Sequence, residues 1–435
     1  MNYGKLGLLL TVVTGLLTGC GGNNAGSGNT EPAGNEPVTI KIGASGSANY
    51  ANEALFQETV VEPVKKKYPH ITLEYIPMGG KSSVKSIDDW MASGNIPDLI
   101  LHSNGSMGEL FDYDLLTDMT PLVKQTGTNL NRFDKAVLDS VRVASDQGWL
   151  VGIPYSQNFN ALYYNKDIFD KFAVSYPTDG MTWDSVIELS KRVARTEAGI
   201  SYVGLHPQWV LRPAYPLALT IVDAKTGRSQ VTNAQWKQVS ELLQKIVAIP
   251  NNWDGKSGSG DFWGKKTIAM LASTNVFALL EPESQKGFSG WDVVQYPSFP
   301  DQPDVSGMVD AWVLIVAKTS KHKTEAMQVI NVITSDEVQL LAASKYAQMS
   351  TLANPVMKQQ FGSKMDSLNI KGKNLQGIFK GKIVAAPKFS PYEKQARAPY
   401  QANMLKVFSG EMDVNTALRD ADQKINKLLD EYKNR

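Results

Sequence analysis

Residues 148–186 read GWLVGIPYSQNFNALYYNKDIFDKFAVSYPTDGMTWDSV. Trp149 to Ile153 is a short apolar run closed by Pro154, which predicts a buried strand that stops there. Tyr155 to Asn160 is short and polar. Ala161 to Tyr164 is a second apolar run, and the Asn165-Lys166-Asp167 that follows supplies a cap for a helix over Ile168 and Phe169. Pro177-Thr178-Asp179-Gly180 marks a turn. Thr182 precedes a further helix whose Trp183, Val186, Ile187 and Val193 share one apolar face. Strand, polar link, strand, helix, turn and helix in this order predict an α/β fold.

The residues before this stretch repeat the alternation. Val38 to Ile42 alternates as a strand and ends in Gly43-Ala44-Ser45-Gly46-Ser47. Asn52 to Val61 is helical, Pro63 ends or kinks that helix, and Ile71 to Ile76 is the next strand. Such β-α-β order favours a parallel sheet with ligands at the carboxyl ends of its strands. Ser45 is therefore a candidate wall of a cleft, or one residue of a plain connecting turn. Ser86 to Ala92 is helical, and Ile96-Pro97-Asp98-Leu99-Ile100-Leu101 leads into His102-Ser103-Asn104-Gly105. His102 is either a hydroxyl-recognising group or a satisfied core histidine.

After it, Tyr202 to Leu205 reads as a strand, followed by His206-Pro207-Gln208-Trp209 and Arg212-Pro213-Ala214-Tyr215-Pro216. An aromatic near a strand end, such as Trp209, can stack on the apolar C–H face of a sugar or belong to the core. Asn233 to Val247 is helical. Residues 251–262 are rich in Gly, Ser and Asp and carry Trp253, a loop able to line a cleft.

The chain has 435 residues, enough for two lobes. With 44 basic and 43 acidic residues the net charge is +1, so no imbalance recruits nucleic acid. The single cysteine, Cys20, excludes internal disulfides and a cysteine metal cage. Lys5 precedes the apolar run Leu6 to Leu17, and Leu17-Thr18-Gly19-Cys20 follows. This reads as a signal peptide over 1–19 with a lipobox whose Cys20 is lipidated. Residues 20–37, rich in Gly, Asn, Ser and Pro, read as a flexible tether. Enzyme signatures fail individually. Gly79-Gly80-Lys81-Ser82 mimics the tail of a phosphate loop, but Tyr75 stands where its first glycine belongs. Asp112-x-Asp114 lacks the rest of a calcium loop. The histidines at 70, 102, 206 and 322 form no HExxH pattern, and no G-x-S-x-G elbow occurs. No catalytic residue, metal or cofactor is expected.

The string G-x-x-x-G-I-P-Y…A-L-Y-Y-N-K-D-I-F…P…T-W-D-S resembles the extracellular solute-binding proteins of the sugar-transporter family. These are the two-lobed receptors of ABC importers, the group of the maltodextrin-binding proteins. Further matches are Leu116 to Leu122, Gly264 to Met270, Tyr296-Pro297 and the run Ala317 to Ala326, AKTSKHKTEA. Thr274 and Phe277 stand where the family often has Gly and Trp.

The resemblance implies a two-lobed, periplasmic-binding-protein-like α/β fold with a ligand cleft and crossing hinge strands. One lobe would hold 38–156 plus 310–349 and the other 157–309 plus 350–435. A third crossing is expected near Gln348 to Thr351. Thr334 to Glu337 is spaced as a capping box. From Leu352 on the chain reads as mainly helical, with a stripe of Val414, Ala417, Leu418, Ala421, Ile425, Leu428 and Leu429 docking on the second lobe.

The family places ligand-facing residues near Asn275. The two crossings should lie side by side at the cleft floor, one bringing Tyr155, Gln157 and Asn158 and the other Asp310 and Trp312. The alternative is that Trp312 is core and Asp310 caps a strand end. The implied function is a lipid-anchored, monomeric substrate-binding protein that closes on a sugar or oligosaccharide and delivers it to permease subunits outside the cell membrane or in the periplasm. A ligand-presenting sensor for a membrane kinase, or a secreted glycan-active enzyme, are the alternatives.

Overall fold

The computed structural model describes residues 36–44, 52–79, 86–253 and 255–433. The signal peptide, Cys20, nearly all of the tether and Ser45 lie outside the described residues.

Two five-stranded sheets organise the chain. In the first, β1 (Val38–Ala44) pairs in parallel with β2 (Ile71–Pro77) on one side and with β3 (Leu99–Ser103) on the other. β4 (Ile153–Gln157) is its edge strand. β5 (Ala161–Asn165), β6 (Arg195–Glu197) and β7 (Ile200–His206) belong to the second sheet, and β8 (Val222–Asp223) and β9 (Arg228–Ser229) form a small hairpin. β10 (Ile268–Ser273) and β11 (Trp291–Gln295) complete the second sheet, in the order β11-β5-β10-β7-β6. After β12 (Val305–Met308), β13 (Ala311–Val316) inserts antiparallel between β3 and β4, so the first sheet runs β2-β1-β3-β13-β4. β14 (Lys382–Val384) pairs in parallel with β12.

Each sheet carries its own core, which makes two lobes. Ile40, Ile42, Leu99, Leu101, Val313 and Ile315 bury one, closed by Val329, Ile330 and Ile333 of the helix Lys323–Ile333. The second sheet buries both faces, and its strands alternate accordingly. Leu162 and Tyr164 pack under Trp183, Val186 and the stripe Val414, Ala417, Leu418, Ala421, Ile425 and Leu429. Ala161 and Tyr163 pack instead with Phe277 and Trp291. The chain passes from β4 to β5 through Asn158-Phe159-Asn160 alone and returns through Val309-Asp310. Met349 runs beside the first link: the Gln157 N–H donates to its carbonyl at 3.0 Å.

Local chemistry accounts for most boundaries. Asn165 caps Lys166–Lys171 by accepting from the Asp167 N–H, and Thr182 caps Trp183–Val193 by accepting from the Ser185 N–H. Four expectations are corrected. β4 begins at Ile153 and continues through Pro154 to Gln157, while Trp149 is 37% exposed. Proline is tolerated because β4 is an edge strand whose register with β13 shifts between Trp312 and Val313, beside it. Pro63 does not end its helix: a π segment, Gln57–Val61, absorbs it, and Pro63 opens the continuation Glu62–Lys67. The cap of Asp336–Tyr346 is Ser335, not Thr334, whose hydroxyl bonds back to the Ile330 carbonyl. Between Gln360 and Tyr392 the chain is short turns and β14, and the long helices resume only at Glu393–Phe408 and Val414–Lys433.

Candidate functional site

The return link Val309-Asp310 is tethered from both sides. Asn104, just past β3, bridges it: Nδ2 donates to the Val309 carbonyl at 3.1 Å and Oδ1 accepts from the Ala311 N–H at 3.0 Å. From the other side the Asn158 N–H donates to the Asp310 carbonyl at 2.8 Å, and Asn158 Nδ2 donates to Asp310 Oδ2 at 3.2 Å. The Asn104 side-chain amide and the Asn158 backbone N–H thus satisfy a strand interruption that would otherwise orphan polar backbone.

The Asp310 carboxylate meets Arg212, whose Nη1 lies 3.3 Å from Oδ2. Arg212 opens the 3-10 segment Arg212–Leu217 and is 8% exposed. Its guanidinium lies 4.5 Å from the Tyr215 ring centroid and 5.7 Å from that of Trp209. Burial opposes its charge, but Tyr215 and Asp310 outweigh burial and hold its pKa above the ordinary value. Burial and the Asp310 charge push the Tyr215 phenol up. The segment is bounded by two non-glycine residues in the left-handed region, Gln208 at φ 55° and Ala218 at φ 50°. Such strain persists only where surrounding contacts fix it. Here the Gln208 N–H donates to His206 Nδ1 at 3.0 Å and its Oε1 accepts from the Thr274 N–H. Arg212 Nε is buried without a partner among the described residues, and no hydrogen bond there engages Asp310 Oδ1.

The helix Glu393–Phe408 supplies the facing wall. The Arg397 guanidinium lies 5.7 Å from the Trp209 ring centroid, on which Arg212 also converges. A Cβ built on Gly105 would sit 3.9 Å from Arg397 Nη2 and 3.7 Å from Phe389, so the missing side chain keeps a gap between the lobes. Lys394 reaches Glu109 at 3.8 Å. Trp209, Tyr215, Met308, Phe389, Glu393 and Arg397 enclose a crevice of only about 10 Å3, room for one water molecule. Anything larger than a water molecule enters only when these walls separate.

The other face of the same links is different. A cavity of about 290 Å3 is lined there by Asp134, Gln157, Val309, Met349, Lys358 and Lys382 among others. Asp310 does not line it, because neighbours along an extended backbone point to opposite sides.

The predicted site residues separate into groups. Asn158 and Asp310 meet directly, and Trp209 joins them through Arg212. Tyr155 and Trp312 are 1% and 9% exposed and sit in the first core, so neither offers a ring face here, and the core reading describes Trp312 better. Gln157 faces the cavity, its Nε2 3.4 Å from the Ser350 carbonyl. Asn275 ties the end of β10 to the Ala347 carbonyl at 2.8 Å. Trp253 packs on Phe408 in the second-lobe core at 5.3 Å. His102 is buried and engaged at both nitrogens: Nδ1 accepts from the Ser103 N–H at 2.9 Å, so Nε2 carries the proton and donates to Glu109 Oε1 at 2.8 Å. Burial raises the Glu109 carboxyl most strongly, but the bond and charge of His102 together with Lys394 outweigh it and hold the pKa below the usual value.

Sequence reading passed over Arg212, Tyr215, Phe389 and Arg397 as ligand candidates. The available signal was an arginine inside the otherwise apolar run 211–217, LRPAYPL. Among the described residues no group of three or more His, Cys, Asp or Glu is placed to hold a metal ion.

Two α/β lobes joined by short crossing links, with aromatic and charged side chains gathered at the junction, define a two-lobed binding protein. The chain belongs to the bacterial extracellular solute-binding proteins: that family's model matches residues 59–366, more than half of its length. Solved structures share the fold at low identity. An ABC substrate-binding protein from Listeria monocytogenes, in complex with cycloalternan, is 17% identical with a TM-score of 0.72 over 90% of this chain and 98% of its own. A sugar transporter from Rhizobium etli, in an open conformation, is 19% identical with a TM-score of 0.71 over 89% and 99%. The sugar-binding protein MalE from Xanthomonas citri is 16% identical with a TM-score of 0.69 over 91% and 98%.

Proposed function

We propose that this chain is the capture component of a carbohydrate importer, binding a sugar or oligosaccharide between its lobes and passing it to membrane permease subunits. The observation that carries the reading is the junction itself. Trp209 and Tyr215 offer aromatic surface, Asp310 keeps a free carboxylate oxygen, and Arg212 and Arg397 supply donors, all within reach of the two links on which the lobes turn. Aromatic faces with a few convergent polar groups suit a ring carrying hydroxyls. The relatives solved with sugars support that ligand class. The ligand contacts both lobes only when they are closed, so it stabilises that state and shifts the population toward it. We place the lobes at 38–156 plus 310–349 and 157–309 plus 350–435, acting as a monomer. Cys20 would hold the lipid anchor. Among the described residues no helix is long and apolar enough to cross a membrane, and the anchor would supply attachment.

A thermal-shift screen against a carbohydrate panel tests the reading. Ligand at 100 times its Kd stabilises the native state by about 2.7 kcal/mol. A panel in which no carbohydrate moves the melting temperature, while another polar solute does, overturns it. The anchor has a separate test: Cys20→Ser should release the protein from membranes, and retention after carbonate washing rules the lipid out.

A further inference from the structure

Two arginines converge on Trp209, and only one makes an ion pair. Arg212 has Asp310. Arg397 has no hydrogen bond or ion pair among the described residues, and it is half-buried at the junction, opposite the glycine gap at Gly105. The carboxylates around it make their hydrogen bonds elsewhere, although Glu393 is close enough for the two charges to interact. Glu393, one turn earlier on the same helix, accepts from the Ile221 N–H at 2.9 Å and the Val222 N–H at 3.1 Å, one with each oxygen. Glu109, on the facing lobe, accepts from His102 and meets Lys394. A guanidinium with five unmet donors in a fork is built for a planar oxyanion, which it holds through two parallel bonds. A hydroxyl uses one of those donors and leaves the charge uncompensated.

We propose that the ligand is an acidic carbohydrate, an oligosaccharide containing a uronic acid residue, and that Arg397 receives its carboxylate. This rests on the carbohydrate reading and sharpens it. The sugar ring lies along Trp209, Asp310 Oδ1 accepts from a ring hydroxyl, and the carboxylate at C6 reaches Arg397 through the gap that Gly105 leaves. Arg212 stays bound to Asp310 and sets the orientation of the acceptor. Arginine rather than lysine stands at 397 because the fork fixes the direction of the carboxylate as well as its charge.

The test uses the mature chain and matched pairs of ligands: di- and trigalacturonate and cellobiouronate against galactobiose and cellobiose, by calorimetry at low and physiological salt. The expected result is at least tenfold tighter binding of the uronate member of a pair, weakened by salt. Arg397→Gln should remove that preference, weakening the uronate member far more than the neutral one, and Arg397→Lys should restore only part of it. The melting temperature of each unliganded variant separates lost recognition from lost folding. Neutral members binding as well as or better than their uronate partners overturns the acidic assignment alone. So does a folded Arg397→Gln protein that keeps the preference. If no member of either class binds, the carbohydrate reading falls with it.

Discussion

The two faces of the crossing links differ in what they do with buried polar groups. On the Asp310 face the polar bonds to the return link are long in sequence and short in space: Arg212 reaches Asp310 over 98 residues and Asn104 reaches Ala311 over 207. The walls there leave about 10 Å3. On the Gln157 face the same backbone borders about 290 Å3, with Lys358 and Lys382 exposed. A bend at the links that opens one face narrows the other. The charged, tightly packed face therefore has the shape of a site that exchanges protein contacts for ligand contacts, and the roomy face has the shape of space left by that closure.

The largest expected effect breaks the charged face. Asp310→Ala strands the Arg212 guanidinium, 8% exposed, without its counter-charge. Removing one partner of a buried pair costs about 3 kcal/mol or more. Urea unfolding of Asp310→Ala, Arg212→Met and the double variant measures this, and the double variant should be more stable than Asp310→Ala alone. If all three unfold like the wild type, the pair is not the keystone of this face.

A smaller effect separates closure from stability. A Cβ on Gly108 would sit 2.6 Å from the Pro391 Cα and 2.8 Å from its nitrogen, with backbone that cannot swing away. Gly108 lies on the first lobe, and Pro391 lies between β14 and the helix that carries Arg397. Gly108→Ala is compatible with lobes that stand apart and incompatible with the contact seen here. It should weaken ligand binding about tenfold, roughly 1.4 kcal/mol, and enlarge the radius of gyration under saturating ligand in X-ray scattering. Unchanged affinity would mean the lobes close without this contact.

The division between faces also marks what the sequence makes legible. Strands β1, β2, β5 and β7 and the caps at Asn165 and Thr182 were readable because each depends on neighbours within a few residues. The family string led to both links and hence to Asn158 and Asp310. It did not lead to Arg212 or Arg397, since their importance comes from pairing, or failing to pair, with groups far away in the sequence, 98 residues in the case of Arg212 and Asp310. For Trp312 the two readings stayed open for the opposite reason. It follows a polar link but already belongs to the ladder of β13, where its ring turns into the first core. Pro154 misled because a proline stops a central strand, and nothing local says that β4 is an edge.

The third effect is pH-dependent and tests the Glu109 bridge between His102 and Lys394. The folded pKa of Glu109 is lowered from an ordinary value of 4.5. The unfolded chain therefore takes up this proton first as the pH falls. The stabilisation is fully present above about pH 4.5 and is lost as pH drops through the folded value. In thermal melts, the difference between wild type and Glu109→Gln should be constant from pH 6 to 7 and shrink below pH 4.5. A difference that grows on acidification contradicts the bridge.

The smallest effect is expected on the roomy face, and it is the one that could reverse the assignment of the faces. Lys358 and Lys382 are exposed at the cavity, and among the described residues neither makes an ion pair. Substitution of an exposed lysine without a partner changes stability by about 0.5 kcal/mol or less. Lys358→Gln and Lys382→Gln should leave both melting temperature and ligand affinity close to wild type, because a ligand held by Asp310 and Arg397 lies on the far side of the links. The competing arrangement puts the ligand in the larger space, where Gln157 would be its polar contact and the two lysines its donors. In that case the lysine variants lose affinity tenfold while Asp310→Asn keeps it. Isothermal titration of the three variants with one ligand decides between the faces.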